Sequence, residues 1–315
     1  MAEPLKFDAT DFDAYAPSKW SSNVYNLERL RVKEKLDTLG KQLSPELKPA
    51  EGSPLTWETS VEHPALWNNH QVKMQALYLL RSADARNELS SRVTRARSIT
   101  NLLDNPSPYR EHIHLAVSLD HEGIEIALQL PPEAVVDHKN LIRKMENHWE
   151  LSKLQELLSD LPSTFSLQVC GLSTTPAHQI DVQQVISALK TSRTEKPAGQ
   201  NPVLRLSTCL KRDDPQLTST DLLESIRNAF ETLMPLYEFI AWRRENDYLE
   251  VQKQIAEEKQ KALSKGLSRG DRVRIIGGLW SGKQGSVQST DARGKLKVLV
   301  GKITVTLEAD EVVPV

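Results

Sequence analysis

Cysteine is nearly absent: Cys170 and Cys209 are the only two in 315 residues. That excludes a disulfide scaffold and a cysteine zinc site, since no C-x-x-C spacing exists. Both fall on expected strands, where they could be neighbours. In a reducing compartment they read as buried thiols. Long apolar runs are missing too, and none approaches the roughly 20 residues of a membrane span. The opening MAEPLKFDATDF lacks the basic-then-apolar pattern of a secretory signal. These absences lead us to expect a cytoplasmic protein with no membrane contact. A formal net charge of −2 excludes a globally basic polyanion binder. Familiar chemical motifs are also lacking. There is no P-loop, no G-x-S-x-G elbow and no H-E-x-x-H, and no helix follows the glycine-rich stretch near residue 280 to make a dinucleotide site. The sequence therefore predicts no cofactor, no metal and no catalytic set.

The informative stretch is 267–315. In 271–276, Val273 and Ile275 alternate with Arg272, Arg274 and Ile276, the period of a half-buried strand. Gly277, Gly278 and Gly282 surround Leu279 and Trp280 in a sharp loop. A second strand, 283–289, carries Gly285, which predicts a bulge or a tight bend. After a turn at 291–294, Leu296, Val298 and Val300 alternate with Lys295 and Lys297. Two further strands, 303–307 and 312–313, make about five, fitting an SH3-like barrel.

The order Gly270-Asp-Arg-Val-Arg-Ile, then Gly278-Leu-Trp-Ser-Gly-Lys-Gln-Gly-Ser-Val287, resembles the KOW domain at the C-terminus of NusG-type transcription elongation factors. Gly270, Asp271, Val273, Arg274, Ile275, Gly278, Trp280, Gly282, Gly285 and Val287 fall on its pattern. So does the closing run from Val305 to Val312. The resemblance covers about the last sixth of the chain. No NusG amino-terminal domain precedes it, so a role on RNA polymerase does not carry over directly. The resemblance implies RNA as ligand, or a transcription or ribosomal protein as partner.

Arg269, Arg272, Arg274, Lys283, Arg293, Lys295, Lys297 and Lys302 face five carboxylates in this stretch, a mildly basic module inside a near-neutral chain. The expected contact residues are Arg272, Arg274, Leu279, Trp280, Lys283, Lys295 and Lys297. Gly278, Gly282 and Gly285 shape the loop and strand. Trp280 either stacks on a base or fills a partner's pocket, or it packs under its own barrel.

Upstream, 1–244 reads as an α+β body with long helices and antiparallel hairpins, joined by a charged helical tether, 245–266, to the module at 267–315. Phe7, Phe12, Tyr15 and Trp20 tack a lead-in onto the body. Helices are expected over 24–43, 69–97, 132–161 (with Asp137 as a cap) and 181–190. Another follows Thr218–Asp221, kinked or split at Pro235. Trp57, His63 and Trp67 lie among Glu58 and Glu62 at an expected packing edge. Arg81, Arg92 and Arg95 would share one face of the 69–97 helix. Residues 111–131 give a hairpin, with Ile113, Leu115, Val117 and Leu119 answering Ile124, Ile126, Leu128 and Leu130. His112 and His114 would share the opposite face, and a metal there needs a third ligand. The step through Ser107-Pro-Tyr109 into this hairpin resembles an uncharacterised family of bacterial α+β domains, which adds a fold and no chemistry.

The sequence thus predicts a binding protein docking on RNA or on the transcription or translation machinery. One alternative is a protein–protein adaptor using Leu279 and Trp280. The other is an enzyme body targeted by the barrel, with His112, His114 and distant carboxylates lining a pocket.

Overall fold

The computed structural model describes residues 5–49, 53–92, 107–192, 202–250, 267, 269–275, 280, 282–291, 295–308 and 311–314. The chain forms two compact units, Met1–Asn246 and Asp247–Val315. The first is α+β. Its elements are α1 (Ala9–Asp13), α2 (Asn26–Leu43), β1 (Thr56–Thr59), β2 (Gln75–Leu80), α3 (Ala83–Arg92), β3 (His114–Leu119), β4 (Gly123–Leu130), α4 (Val135–Lys144), α5 (His148–Ser159), β5 (Ser166–Val169), β6 (Thr175–Pro176), α6 (Val182–Ser192), β7 (Leu204–Lys211) and α7 (Leu222–Ile240). The strands form a seven-stranded sheet in the order β1-β2-β3-β4-β7-β5-β6, every pair antiparallel.

Alternation explains how the sheet is covered. Leu77, Leu79, Leu115, Val117, Leu119, Ile126, Leu128, Leu204 and Leu206 project to one face and are buried in a single large core. On that face α2 packs on β1 and β2, and α7 on β3 and β4. Each side chain of this kind contributes about 1.5–3 kcal/mol when fully buried. Gly40 lets α2 come down close: a Cβ there would lie 2.8 Å from the Trp57 ring and 2.9 Å from Leu77. Phe7, Phe12 and Tyr15 are fully buried in the same core, and the Trp20 indole donates to the Tyr15 carbonyl at 2.7 Å. The lead-in is therefore part of the body.

Several expectations give way here. Residues 69–97 are not one helix, because β2 occupies Gln75–Leu80. All six of its residues are buried, so both strand faces are covered and no alternation shows. The spacing of Val72, Ala76 and Leu79 mimicked a helical stripe. Arg81 then leaves the supposed basic face and is buried against Asp137. Arg95 lies outside the described residues. Residues 132–161 form two helices, and Asn147 starts the second by accepting from the Trp149 amide at 2.9 Å. Trp149 accordingly points outward, 82% exposed. Asp137 sits inside α4 and makes no cap. Pro235 lies within α7 without ending it, since Ile226, Phe230, Leu233 and Tyr237 are buried on its packed face. The two cysteines are not neighbours. Cys170 lies just past β5, bonded to Val203, while Cys209 pairs with Glu125 far along β7. Neither is buried.

The second unit contains β8 (Arg272–Ile275), β9 (Gln284–Thr290), β10 (Leu296–Val300), β11 (Ile303–Leu307) and β12 (Val312–Pro314). They form one antiparallel sheet, β11-β10-β9-β8-β12. Val273, Ile275, Val287, Leu296, Val298, Leu307 and Val312 make its core. Among the described residues the ladder does not close, since β11 and β12 stand at its two ends and do not pair. The expected tether falls mostly on 251–266, outside the described residues.

Among the described residues no helix is long and apolar enough to cross a membrane.

Candidate functional site

In the second unit most apolar strand residues point inward and most polar ones outward, Ile303 being an exposed exception. Arg272 and Arg274 flank the buried Val273 and are exposed. Lys297, between the buried Leu296 and Val298, is exposed on β10. Across the ladder Arg272 stands opposite Ser286, and Arg274 opposite Gln284. Lys297 stands between Ser289 and Thr306. None of the five strands contains an aspartate or glutamate. The described carboxylates of this region lie in its loops. The outward sheet face thus carries three cations set among hydroxyl and amide side chains.

The turns that hold these strands are backbone-built. Gly270 (φ 100°) and Gly282 (φ 83°) occupy the left-handed region, which glycine enters without steric cost. The Gly270 amide donates to the Val287 carbonyl at 2.8 Å, and the Gly282 amide to the Ile275 carbonyl at 2.7 Å. Gly285 serves close approach: a Cβ there would sit 2.6 Å from both the Leu299 carbonyl oxygen and Val298 Cγ1. Gly285→Ala is expected to cost about 1–3 kcal/mol of local stability by overpacking. Hydrogen exchange of β9 and β10 amides should accelerate, and unchanged protection would refute this.

The expected contact residues divide. Arg272, Arg274 and Lys297 share the sheet face, and Lys283 is exposed beside it, at the start of β9. Lys295 is engaged instead, its ammonium paired with the Glu308 carboxylate. Trp280 is half-buried and packs against the unit's own core, with its carbonyl accepting from the Lys283 amide at 3.1 Å. Leu279 and Gly278 lie outside the described residues.

The body presents a second candidate, which the sequence did not reveal. The sheet face turned away from its main core carries an open groove of about 680 Å³. Between the rows that line it, one row of the sheet is small, buried and in register: Ala116, Ala127 and Ser207. On one side runs His114–Gln129–Arg205, on the other Ser118–Glu125–Cys209. Tyr78 and Tyr109 stack at one wall, ring centroids 3.8 Å apart and 9° from parallel. His114 meets both rings edge-on, at 5.2 and 5.7 Å. Burial pushes its pKa down to about 4, so it is a neutral ring at physiological pH. Partial desolvation, helped by the nearby Glu125 and Asp120 charges, raises the Cys209 thiol, although the residue is exposed, which makes it a poor nucleophile.

His112 does not join this groove. It is buried elsewhere, where burial and the Arg81 charge press its pKa down to about 4. The two histidines are therefore not a ligand pair. Among the described residues no three His, Cys, Asp or Glu side chains are placed to hold a metal ion.

No family model matches the chain, and no curated protein matches it.

Proposed function

We propose that the C-terminal unit is a KOW-type, SH3-like module that binds RNA through its outward sheet face, in a cytoplasmic protein of the transcription or translation machinery. One observation carries this reading: Arg272, Arg274 and Lys297 share a strand face with no carboxylate. Phosphate oxygens need cations that are not already paired, and hydroxyl and amide neighbours supply further donors. Lys295, held by Glu308, is a bystander in this scheme. Trp280, half-buried against the module's own core, contributes packing in this scheme, and the sheet face makes the phosphate contacts.

The test is binding of the full chain to a single-stranded RNA over a salt series. Three phosphate contacts predict a slope of log K against log salt near −2, from about −0.7 per contact on single strands. Arg272→Glu with Arg274→Glu and Lys297→Glu should weaken binding at least about tenfold and flatten the slope. Lys295→Gln should change little. Salt-independent binding, or full binding by the triple variant, would reject the RNA reading.

A further inference from the structure

We propose that the open groove of the seven-stranded sheet binds a small zwitterionic ligand of the amino-acid or dipeptide class, with Arg205 receiving its carboxylate and Glu125 its ammonium. The site lies wholly on Met1–Asn246 and is independent of the RNA reading. Its volume, about 680 Å³, lies within the range of small-molecule sites.

Charge selects the ligand class. The lining holds four cations, Lys73, Arg110, Arg205 and Lys211, and four carboxylates, Asp120, Glu122, Glu125 and Glu133. A polyanion would meet as much repulsion as attraction. Most of these charges are at the rim or already committed. Arg110 is bonded to Glu133 at 2.5 Å, and Lys73 sits 4.8 Å over the Trp20 ring. Asp120, Glu122 and Lys211 belong to the hairpin end of β3, β4 and β7. Along the middle of the floor, the described cation is Arg205 and the described carboxylate is Glu125. They form a loose ion pair with each other, 3.7 Å apart, which is beyond hydrogen-bond distance and leaves both with donor and acceptor capacity for a ligand. A ligand carrying both charges complements both.

The floor's polar atoms point the same way. Ser118 is more than nine-tenths buried, yet its Oγ forms no hydrogen bond among the described residues, and neither does the buried Nε of Arg205. His114 is engaged instead, hydrogen-bonded by the Gln129 side chain across the ladder and by the Tyr109 backbone. Buried polar atoms without partners cost free energy, and two beside one groove are what a hydrogen-bonding ligand relieves. Tyr78, Tyr109 and Met74 give an apolar flank for a side chain.

The experiment is thermal denaturation and calorimetric titration of the full-length protein with the standard free amino acids and Gly-Gly. Inorganic phosphate and glucose serve as contrasting probes. At least one zwitterion should bind saturably. Its N-acetylated and amidated forms should bind about tenfold more weakly, as should the parent compound to Arg205→Gln and Glu125→Gln proteins; tenfold is ~1.4 kcal/mol. Both side chains are partly exposed, so these variants should fold, and the capped ligands test the idea on the unaltered protein in any case. Binding by none of the zwitterions would overturn the proposal. So would indifference to capping, or binding only of phosphate or glucose.

Discussion

Asp137→Ala is expected to remove about 3–5 kcal/mol of unfolding free energy, the cost of stranding one member of a buried ion pair. Asp137 is completely buried and Arg81 is 7% exposed. One carboxylate oxygen accepts from Arg81 Nη2 at 2.5 Å and from the Trp242 amide at 2.7 Å, and the other accepts from the Ile113 amide at 3.1 Å. The Arg81 guanidinium also donates to the Trp242 carbonyl at 2.9 Å. A single side chain thus joins the start of α4, the end of β2, the approach to β3 and the chain just past α7. Burial alone would lower the Arg81 pKa, but the Asp137 charge outweighs it and holds the value above the ordinary one. Removing the carboxylate leaves a buried cation and two orphaned amides. Urea unfolding followed by circular dichroism, with hydrogen exchange of the Ile113 and Trp242 amides, measures the effect. A loss below about 1 kcal/mol, the size of an exposed pair, would show that the network does not support the fold. Arg81→Met combined with Asp137→Leu should be less damaging than the sum of the single changes.

This cluster marks where the sequence stopped being readable. The β3–β4 hairpin was legible because Ile113 to Leu119 and Ile124 to Leu130 alternate, one face meeting the core and the other the groove. The five strands of the second unit were legible for the same reason, with Gly270, Gly282 and Gly285 marking the turns and the close approach. Strand β2 was not, since burial on both faces erases the period that distinguishes strand from helix. Asp137 was read as a cap because its partners, 56 and 105 residues away, leave no local trace. The break between α4 and α5 did have a signal, Asn147 ahead of an apolar stripe. The groove had none: Ala116, Ala127 and Ser207 come from three strands, and only the register places them side by side. Lys295 shows the limit at a single residue. Counting charges put it among the expected contacts, and nothing local in the sequence showed its pairing with Glu308.

Acidification should destabilise the body steeply between about pH 6.5 and 4. His112 and His114 are 5% and 1% exposed, and each has its pKa lowered from 6.5 to about 4, mainly by burial. In the folded state both stay neutral until about pH 4, whereas in the unfolded chain they protonate around 6.5. Between those values the unfolded state binds more protons, so stability falls as pH falls, then levels off below about pH 4. At 1.36 kcal/mol per pH unit, each histidine costs up to ~3 kcal/mol at the acid end, and the two together rival the whole stability of an ordinary domain. Arg81 and Arg86 oppose protonation of His112, while Asp137 favours it. For His114 the surrounding hydrogen bonds favour protonation and burial outweighs them. Glu58, raised by burial, works in the opposite sense and trims the loss. Asp8 and Glu62, both lowered, lose their contribution at lower pH than the histidines do. Unfolding free energies measured from pH 7 to 4 should therefore drop steeply for the wild type and less for His112→Gln and His114→Gln. A flat wild-type profile across that window, or variants that track it, would mean that the two rings take up protons in the folded body without cost.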